Sequence, residues 1–413
     1  MPIEVKSLKE SNEFLNILLD NITSAVFLID QRMRIHSFNN AFQTLFNTPE
    51  DRLLQTEELF GNVFGCTYAV HENAICGTTA HCKKCLLRKF AVRAFVEKTP
   101  AYREKLTREF FIDGRPILKH FQFSTKYISY DGQEMVMVII DDITQTETQR
   151  IELDQDLQAA AEIQRMLLPA SLPAVELIDV AWQFRPCRRI GGDIFNVLRL
   201  DSDHWAIYMI DVSGHGVPSA MIAVSVSQTL QPHSGTLVGK TDDFQCIADI
   251  KSPAAVLEIL DREYPLERFN NFFTISYLVL NIRTGALRYA SAGHPLPILI
   301  RAAGGAWEFL ERGGAVIGMD GLIPFTEHEV RLDPGDKLFL YTDGITEYQD
   351  PDGAIYGSRR FRDTLLALRH QSVAAMVEEA TRAVLEFGRG AEPLDDFTLL
   401  GIEFRGNRGP NRD

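Results

Sequence analysis

The chain reads as an α+β protein: antiparallel sheets covered by helices, in two folded regions joined by one long helical segment. Three observations predict this. Strand-like runs recur in pairs about short polar turns, as hairpins do. Helical patterns sit between those pairs. A stretch from Thr146 to Leu168 contains neither Gly nor Pro. A length of 413 residues suits two or three domains, because single cores rarely grow beyond ~250 residues.

The elements follow in order. A helical opening over 11–19 leads into a strand at 25–30, a second strand from 34 and a short helix ending near Phe42. After a cysteine-rich segment, runs at 108–112, 117–129 and 135–141 are separated by Asp113-Gly114 and Asp131-Gly132, dipeptides that favour tight turns. The first region is therefore a small antiparallel sheet with flanking helices. In the long helix, Leu153, Leu157, Ala160, Gln164 and Leu167 fall at alternating steps of four and three. Such a stripe serves either a coiled-coil dimer, with Gln164 setting register, or packing onto the helix's own domain. Pro169 and Pro173 close the segment. Beyond it come strands at 180–186, 194–200, 204–210, 274–282, 286–292, 337–341 and 397–404, and helices at 217–230, 253–264, 358–368 and 373–387. Hairpins are expected about Asp201-Ser202-Asp203 and Thr284-Gly285, giving two sheets with helices outside.

Composition narrows the function. With 45% hydrophobic residues and a net charge of −14, the chain has the make-up of an ordinary soluble acidic protein. It shows no basic stripe for nucleic acid. No apolar run approaches the ~20 residues of a membrane span, and Met1 to Lys6 lacks a signal-peptide core. A cytoplasmic location is expected.

Four carboxylate-bearing turns carry the chemistry: Gly191-Gly192-Asp193, Asp211 to Gly216, Tyr341-Thr342-Asp343-Gly344 and Asp395-Asp396-Phe397-Thr398. Asp211 and Asp343 follow strand-like runs, and Asp395 precedes one. Aspartates gathered at strand ends suit hard divalent cations, which take oxygen ligands and keep several waters. Singly, each Asp-Gly is first a turn dipeptide, and Asp320-Gly321 and Asp352-Gly353 read as no more than that.

Together with Ala161 to Pro169, Ser291-Ala292-Gly293-His294-Pro295 and Val316-Ile317-Gly318-Met319, these turns resemble the metal-dependent serine/threonine phosphatases of the PPM class, in their SpoIIE/RsbU branch. The resemblance runs from about Ala160 to Glu403 and keeps every acidic position; Phe272-Phe273-Thr274 stands where the branch more often has Phe-Met-Thr. It implies a PPM-type α-β-β-α sandwich. It also implies that Asp211 bridges two Mn²⁺ or Mg²⁺ ions, that the Val212 carbonyl completes one, that Asp343 and Asp395 hold the other, and that Asp193 serves the ion on the Val212 side. Asp396 and Thr398 would support these ligands. Two such ions acidify water and neutralise charge on phosphoryl oxygens. His215 is a candidate general acid, with capping of the turn as the plainer role; His294 reads as structural. Neither Cys187 nor Ser213 has a context that would activate a nucleophile.

The first region resembles a PAS sensor domain, ending in Asp141-Asp142-Ile143-Thr144. Within it Cys66, Cys76, Cys82 and Cys85, with His71 and His81 nearby, could hold Zn²⁺ or an iron–sulfur cluster, act as a thiol–disulfide sensor, or be inert core thiols. Cys187 and Cys246 stand alone.

The organisation expected is a sensor at 1–145, a coiled-coil linker at 146–170 that dimerises the chain, a phosphatase domain at 171–406 and a disordered tail at 407–413. The substrate implied by the resemblance is a phosphorylated regulator, an anti-sigma-factor antagonist of STAS type. A catalytically silent docking protein of the same fold is the alternative, and a two-metal nuclease is disfavoured by the acidic surface.

Overall fold

The computed structural model describes residues 12–47, 59–112, 114–130, 132–169, 177–238, 250–310, 314–319 and 321–406. The expectations for Asp113, Asp131, Pro173, Cys246, Asp320 and the tail at 407–413 fall outside these. The chain divides into two compact units between Asp154 and Gln155.

The first unit contains β1 (Ala25–Ile29), β2 (Ile35–Phe38), β3 (Ala101–Ile112), β4 (Arg115–Tyr130) and β5 (Gln133–Asp142). They form one antiparallel sheet in the order β2-β1-β5-β4-β3. Alternate residues Phe27, Phe121, Phe123, Val136, Val138 and Ile140 enter a core completed by Phe42, Phe46 and Phe64 from the intervening segments. Phe46 and Phe64 stack with centroids 4.1 Å apart.

β3 starts at Ala101, seven residues before the expected Arg108. A bulge between Ala101 and Glu104, with Arg103 at φ 55°, breaks the two-residue alternation there. The helix Leu86–Glu97 was not anticipated; it buries Leu87, Ala91 and Ala94, and two alanines make a faint apolar signal.

The long helix runs Thr144–Leu167. Asp142, at the end of β5, accepts the Thr144 N–H at 2.9 Å and pairs with Lys119 at 2.8 Å. Near its start, Glu147 takes Lys105 at 2.6 Å and Arg150 at 2.9 Å. Asp-Asp-Ile-Thr therefore works as a strand-to-helix junction.

The second unit carries β6 (Ile178–Arg185), β7 (Ile194–Arg199), β8 (His204–Val212), β9 (Phe273–Asn281), β10 (Ala286–Ala292), β11 (Ile298–Ile300), β12 (Trp307–Phe309), β13 (His328–Arg331), β14 (Lys337–Tyr341) and β15 (Phe397–Phe404). Two antiparallel five-stranded sheets result, β13-β10-β9-β8-β7 and β12-β11-β14-β15-β6. Both expected hairpins form. Helices Val217–Thr229 and Pro253–Glu263 cover the first sheet, and Ser358–Ala367 and Val373–Phe387 cover the second.

The result is an α-β-β-α sandwich whose sheets are buried on both faces. That is why β8 reads Trp-Ala-Ile-Tyr-Met-Ile without polar alternation. In the second sheet Leu338, Leu340, Leu400 and Ile402 join the central core, whereas Phe339, Tyr341, Phe397 and Leu399 meet the helices. The short strands β11, β12 and β13, of three or four residues each, escaped sequence reading. No helix among the described residues is long and apolar enough to cross a membrane.

Candidate functional site

Asp211 is the penultimate residue of β8, opposite Thr274 of β9. The chain then turns through Gly214 and Gly216 at φ 84° and 86°, a left-handed conformation costly for other residues. Asp343 follows β14 and opens the helical turn Asp343–Thr346. Asp395 and Asp396 immediately precede β15, the neighbour of β14. Asp193 lies just before β7. The four turns thus draw on both sheets.

Glycines set how closely these turns approach. A Cβ on Gly191 would lie 2.4 Å from Asp396 Oδ2, one on Gly192 2.8 Å from the Val212 carbonyl oxygen, and one on Gly344 2.0 Å from the Asp396 carbonyl oxygen. Asp396 is buried and ties the turns together: its carboxylate accepts the Gly192 N–H at 2.6 Å and the Cys187 N–H at 2.8 Å. Asp193 is buried too; its Oδ2 accepts the hydroxyls of Thr398 at 2.5 Å and Thr342 at 2.8 Å. The Oδ1 of Asp193 has no partner.

Such a cluster repels itself. Burial first, then the charges of Asp211 and Asp396, hold Asp193 well above the usual carboxylate range. Asp211 is driven the same way by burial and by Asp343, Asp395, Asp396 and Glu347. Asp343 is pushed up to about 6 by burial and by Asp395 and Glu347. Asp395 is raised mainly by burial, against the N–H of Asp396.

An orphaned carboxylate oxygen and mutually repelling acids are what a cation would relieve, and the donors are oxygens suited to Mg²⁺ or Mn²⁺. The donor chemistry suits divalent metal, while among the described residues no three of Asp193, Asp211, Asp343 and Asp395 bring carboxylate oxygens within 4.8 Å of one another. Val212 lies buried between the Gly192 and Asp211 segments, with its carbonyl facing the Gly192 turn.

His215 is exposed on the Asp211 turn, close enough to Asp395 for its charge to lower that carboxyl. His294 is fully buried, bonds Thr274 Oγ1 at 2.8 Å, and is held neutral, lowered to about 3 by burial. It belongs to the scaffold. Cys187, read as solitary, stands with Asp395 and Asp396, the ligand atoms of all three within 4.8 Å. Burial and Asp396 push its thiol up to about 12. That direction disfavours the thiolate. Cys66, Cys76, Cys82 and Cys85 line one pocket of the first unit.

Three functional contacts were missed from sequence. Gln164 of the long helix is buried and grips the Gly191 peptide from both sides: its Nε2 donates to the Gly191 carbonyl at 2.7 Å, and its Oε1 accepts the Gly191 N–H at 3.1 Å. Asp261, in the helix Pro253–Glu263, accepts the N–H groups of Gly318 at 2.7 Å, Met319 at 2.9 Å and Gly321 at 2.5 Å, pinning the Val316 to Met319 motif. Asn271 donates to the Ser213 carbonyl at 2.7 Å. A buried helix Gln or Asp leaves no distinctive local signal. Beside Asp343 an open groove of about 360 Å³ is lined by Thr274, Pro295, Leu296, Phe309, Thr346 and Ser358 among others.

Residues 201–405 match the family described as Stage II sporulation protein E (SpoIIE), and residues 13–79 match a PAS domain. The C-terminal unit is a SpoIIE-type PP2C phosphatase domain. PP2C is the fold of the PPM class, and the PAS domain precedes it in the chain.

Among curated relatives, Protein IcfG of Synechocystis is 27% identical over 266 residues, 60% of this chain and 41% of that one. Phosphoserine phosphatase RsbU of Bacillus subtilis is 24% identical over 256 residues, 60% of this chain and 70% of that one. The match therefore spans less than half of IcfG. The solved SiaA PP2C domain of Pseudomonas aeruginosa is 25% identical, with a TM-score of 0.52, covering 62% of this chain and 98% of that one.

Proposed function

We propose that this PP2C domain hydrolyses phosphoserine or phosphothreonine on a regulatory protein, under control of the PAS domain through the long helix. The observation that carries the reading is that Asp193, Asp211, Asp343 and Asp395, drawn from two sheets, lie close enough to repel one another, with Asp193 Oδ1 left without a partner. Asp211, Asp343, Asp395 and the Val212 carbonyl would hold two Mn²⁺ or Mg²⁺ ions, with Asp193 on the Val212 side. Bound divalent ions supply Lewis acidity, acidifying water and offsetting charge on the phosphoryl oxygens.

The protein's own groups do the rest. Asp396 holds the Gly191-Gly192 turn against the Asp395 turn, and Thr342 and Thr398 orient Asp193 by donating to its Oδ2, which leaves Oδ1 unpartnered. His215, exposed on the Asp211 turn, is the general acid we assign to the departing serine or threonine oxygen. Cys187, held neutral, takes no part as nucleophile. The groove beside Asp343 offers a site for the segment carrying the phosphoresidue.

For control, the helix Thr144–Leu167 leaves the last PAS strand and ends with Gln164 on the Gly191 peptide. Leu157, Ala160 and Ala161 pack with Ile190 and Ala220 beside that bond. Leu153, on the same stripe, stays 60% exposed and is the surface on which a second copy would pair. A shift of this helix would move the Gly191 peptide and with it the Asp193 and Asp396 carboxylates. The name phosphoserine phosphatase, borne by RsbU, supports the chemistry, and a STAS-type anti-sigma-factor antagonist is the substrate class proposed.

The test is hydrolysis of an aryl phosphate and of a phosphorylated STAS protein by the full chain, with and without Mn²⁺, beside Asp211→Asn. Turnover that needs Mn²⁺ and Asp211 is expected. Binding of the STAS protein with no turnover of either substrate would instead make the domain a docking module.

A further inference from the structure

Outside the carboxylate site, the reactive groups without a role are concentrated in the PAS core. Cys66, Cys76, Cys82 and Cys85 come from different local pieces: the residue before the helix Thr67–His71, the loop after it, the 3₁₀ turn Ala80–Lys84, and the residue before Leu86–Glu97. They converge on one small pocket whose apolar walls include Phe60, Phe64, Phe110, Phe121, Leu87 and Leu106. Cys66 and Cys85 are buried and none of the four forms a disulfide.

Inert core thiols would act as small apolar groups and ask for apolar neighbours. Two guanidiniums face these instead. Arg108 Nη1 points at Cys85 Sγ, 3.4 Å away, and at Cys66 Sγ, 3.7 Å away. Arg88 also lines the pocket, and its Nη1 is buried with no partner. Burying cationic N–H groups beside neutral thiols is unfavourable; beside thiolates it is favourable.

The remaining sulfurs are also prepared. Cys82 Sγ accepts the Gly77 N–H at 3.1 Å and lies 3.2 Å from the Thr79 hydroxyl. Those donors hold its thiol below the usual value against the effect of its burial. Cys76 is pushed up to about 11 by burial, so it gives up its proton only to a strong electrophile. Close packing maintains the arrangement. A Cβ on Gly61 would sit 2.4 Å from Cys76 Sγ, and one on Gly77 2.8 Å from the Arg88 guanidinium.

We propose that Cys66, Cys76, Cys82 and Cys85 hold a thiophilic metal centre, a zinc ion or an iron–sulfur cluster, with Arg88 and Arg108 as its counter-charges. Four thiolates around a dipositive ion or a dipositive four-iron core leave a net charge of about −2, which two guanidiniums balance.

Tetrahedral zinc with ~2.3 Å bonds needs sulfurs ~3.8 Å apart, whereas no three of these lie within 4.8 Å of one another. The free volume among them, about 20 Å³, is that of a water molecule. Zinc would draw the ring of sulfurs in, and a cluster would spread it.

The full-length chain, purified without oxygen, is assayed for zinc, iron and acid-labile sulfide, with Asp211→Asn as background so that metal at the carboxylate site is not counted. Near-stoichiometric zinc without sulfide identifies the ion; iron with matching sulfide and visible absorbance identifies the cluster. Cys82→Ser lowers the content at least about tenfold, whereas Glu162→Ala, on the exposed face of the long helix, leaves it unchanged. Thiol titration of the native wild-type chain, which involves no variant, should find four thiols protected until a chelator is added. A chain that carries neither metal and takes up neither Zn²⁺ nor iron with sulfide overturns the proposal. Metal content unaffected by Cys82→Ser overturns it as well, as does a Cys–Cys disulfide in the anaerobic protein.

Discussion

Removing the Gln164 amide is the sharpest test of how the long helix reaches the carboxylates. In Gln164→Ala both polar groups of the Gly191 peptide lose their partner in a buried setting. Each orphaned group costs about 1–3 kcal/mol, so the two together cost about 2–4 kcal/mol if they relax jointly. For a unit of this size that is a fall in melting temperature of about 4–16 °C.

The loss should not stay local. The next residue, Gly192, donates to Asp396 at 2.6 Å, and Asp193 follows directly. If 1.4 kcal/mol of the loss falls on the metal-competent arrangement, the Mn²⁺ concentration for half-maximal turnover rises about tenfold. Mn²⁺ titration of aryl phosphate hydrolysis reads this, with Glu162→Ala, on the exposed face of the same helix, as control. Gln164→Glu adds a second reading. Its carboxylate can accept the Gly191 N–H but cannot donate to the carbonyl until protonated, so part of the defect should recover on acidification. A lowered melting temperature with unchanged Mn²⁺ dependence and unchanged kcat would refute the coupling and leave Gln164 as packing alone.

Four further outcomes are expected. Asp343→Asn should abolish Mn²⁺-dependent turnover yet leave the metal-free domain no less stable, as thermal melts would show, because it removes a charge repelled by Asp395 and Glu347. The same carboxyl gives a pH signature. Its folded value near 6 lies above the ordinary aspartate value of 3.8, so its contribution is fully present below 3.8 and lost as pH rises through 6. The metal-free chain should therefore melt higher at pH 5 than at pH 7, a difference that shrinks in Asp343→Asn and when Mn²⁺ is bound; a larger difference in the variant would contradict this. Asp261→Ala strands three backbone N–H groups and should lower the urea midpoint by the equivalent of about 2–5 kcal/mol, with Asp261→Asn losing less. Gly344→Ala drives a Cβ into the Asp396 carbonyl, where backbone cannot yield; it should lower metal-dependent turnover at least about tenfold relative to the unsubstituted chain.

The elements that sequence disclosed are those whose cause is local or periodic. β8 through β10, β14, β15 and the helices covering them carry long apolar runs with turn residues at the joints, and each forms close to its expected bounds. The acidic turns were legible because aspartates at strand ends recur in a fixed order, and Asp193, Asp211, Asp343 and Asp395 lie at the turns that meet between the sheets. What could not be read depends on pairs distant in sequence. Cys187 gained a setting only when Asp396, 209 residues later, accepted its N–H.

Gln164 is the instructive case. Its place on a stripe of Leu and Ala fitted a dimer seam and a domain-packing face equally well, since both ask for the same spacing. The structure commits Leu157, Ala160, Ala161 and Gln164 to Ile190, Gly191 and Ala220, while Leu153 stays exposed. The stripe therefore changes use along its length. Nearer the PAS domain it is free to pair with another surface; at its far end it is fastened to the peptide that precedes Asp193. A rotation of the helix large enough to satisfy a new partner at Leu153 would have to break or carry the Gln164 bond, because a helix transmits rotation along its axis with little slack. The control proposed for the sensor would then need no contact with the carboxylates at all, only a choice of which way that stripe faces.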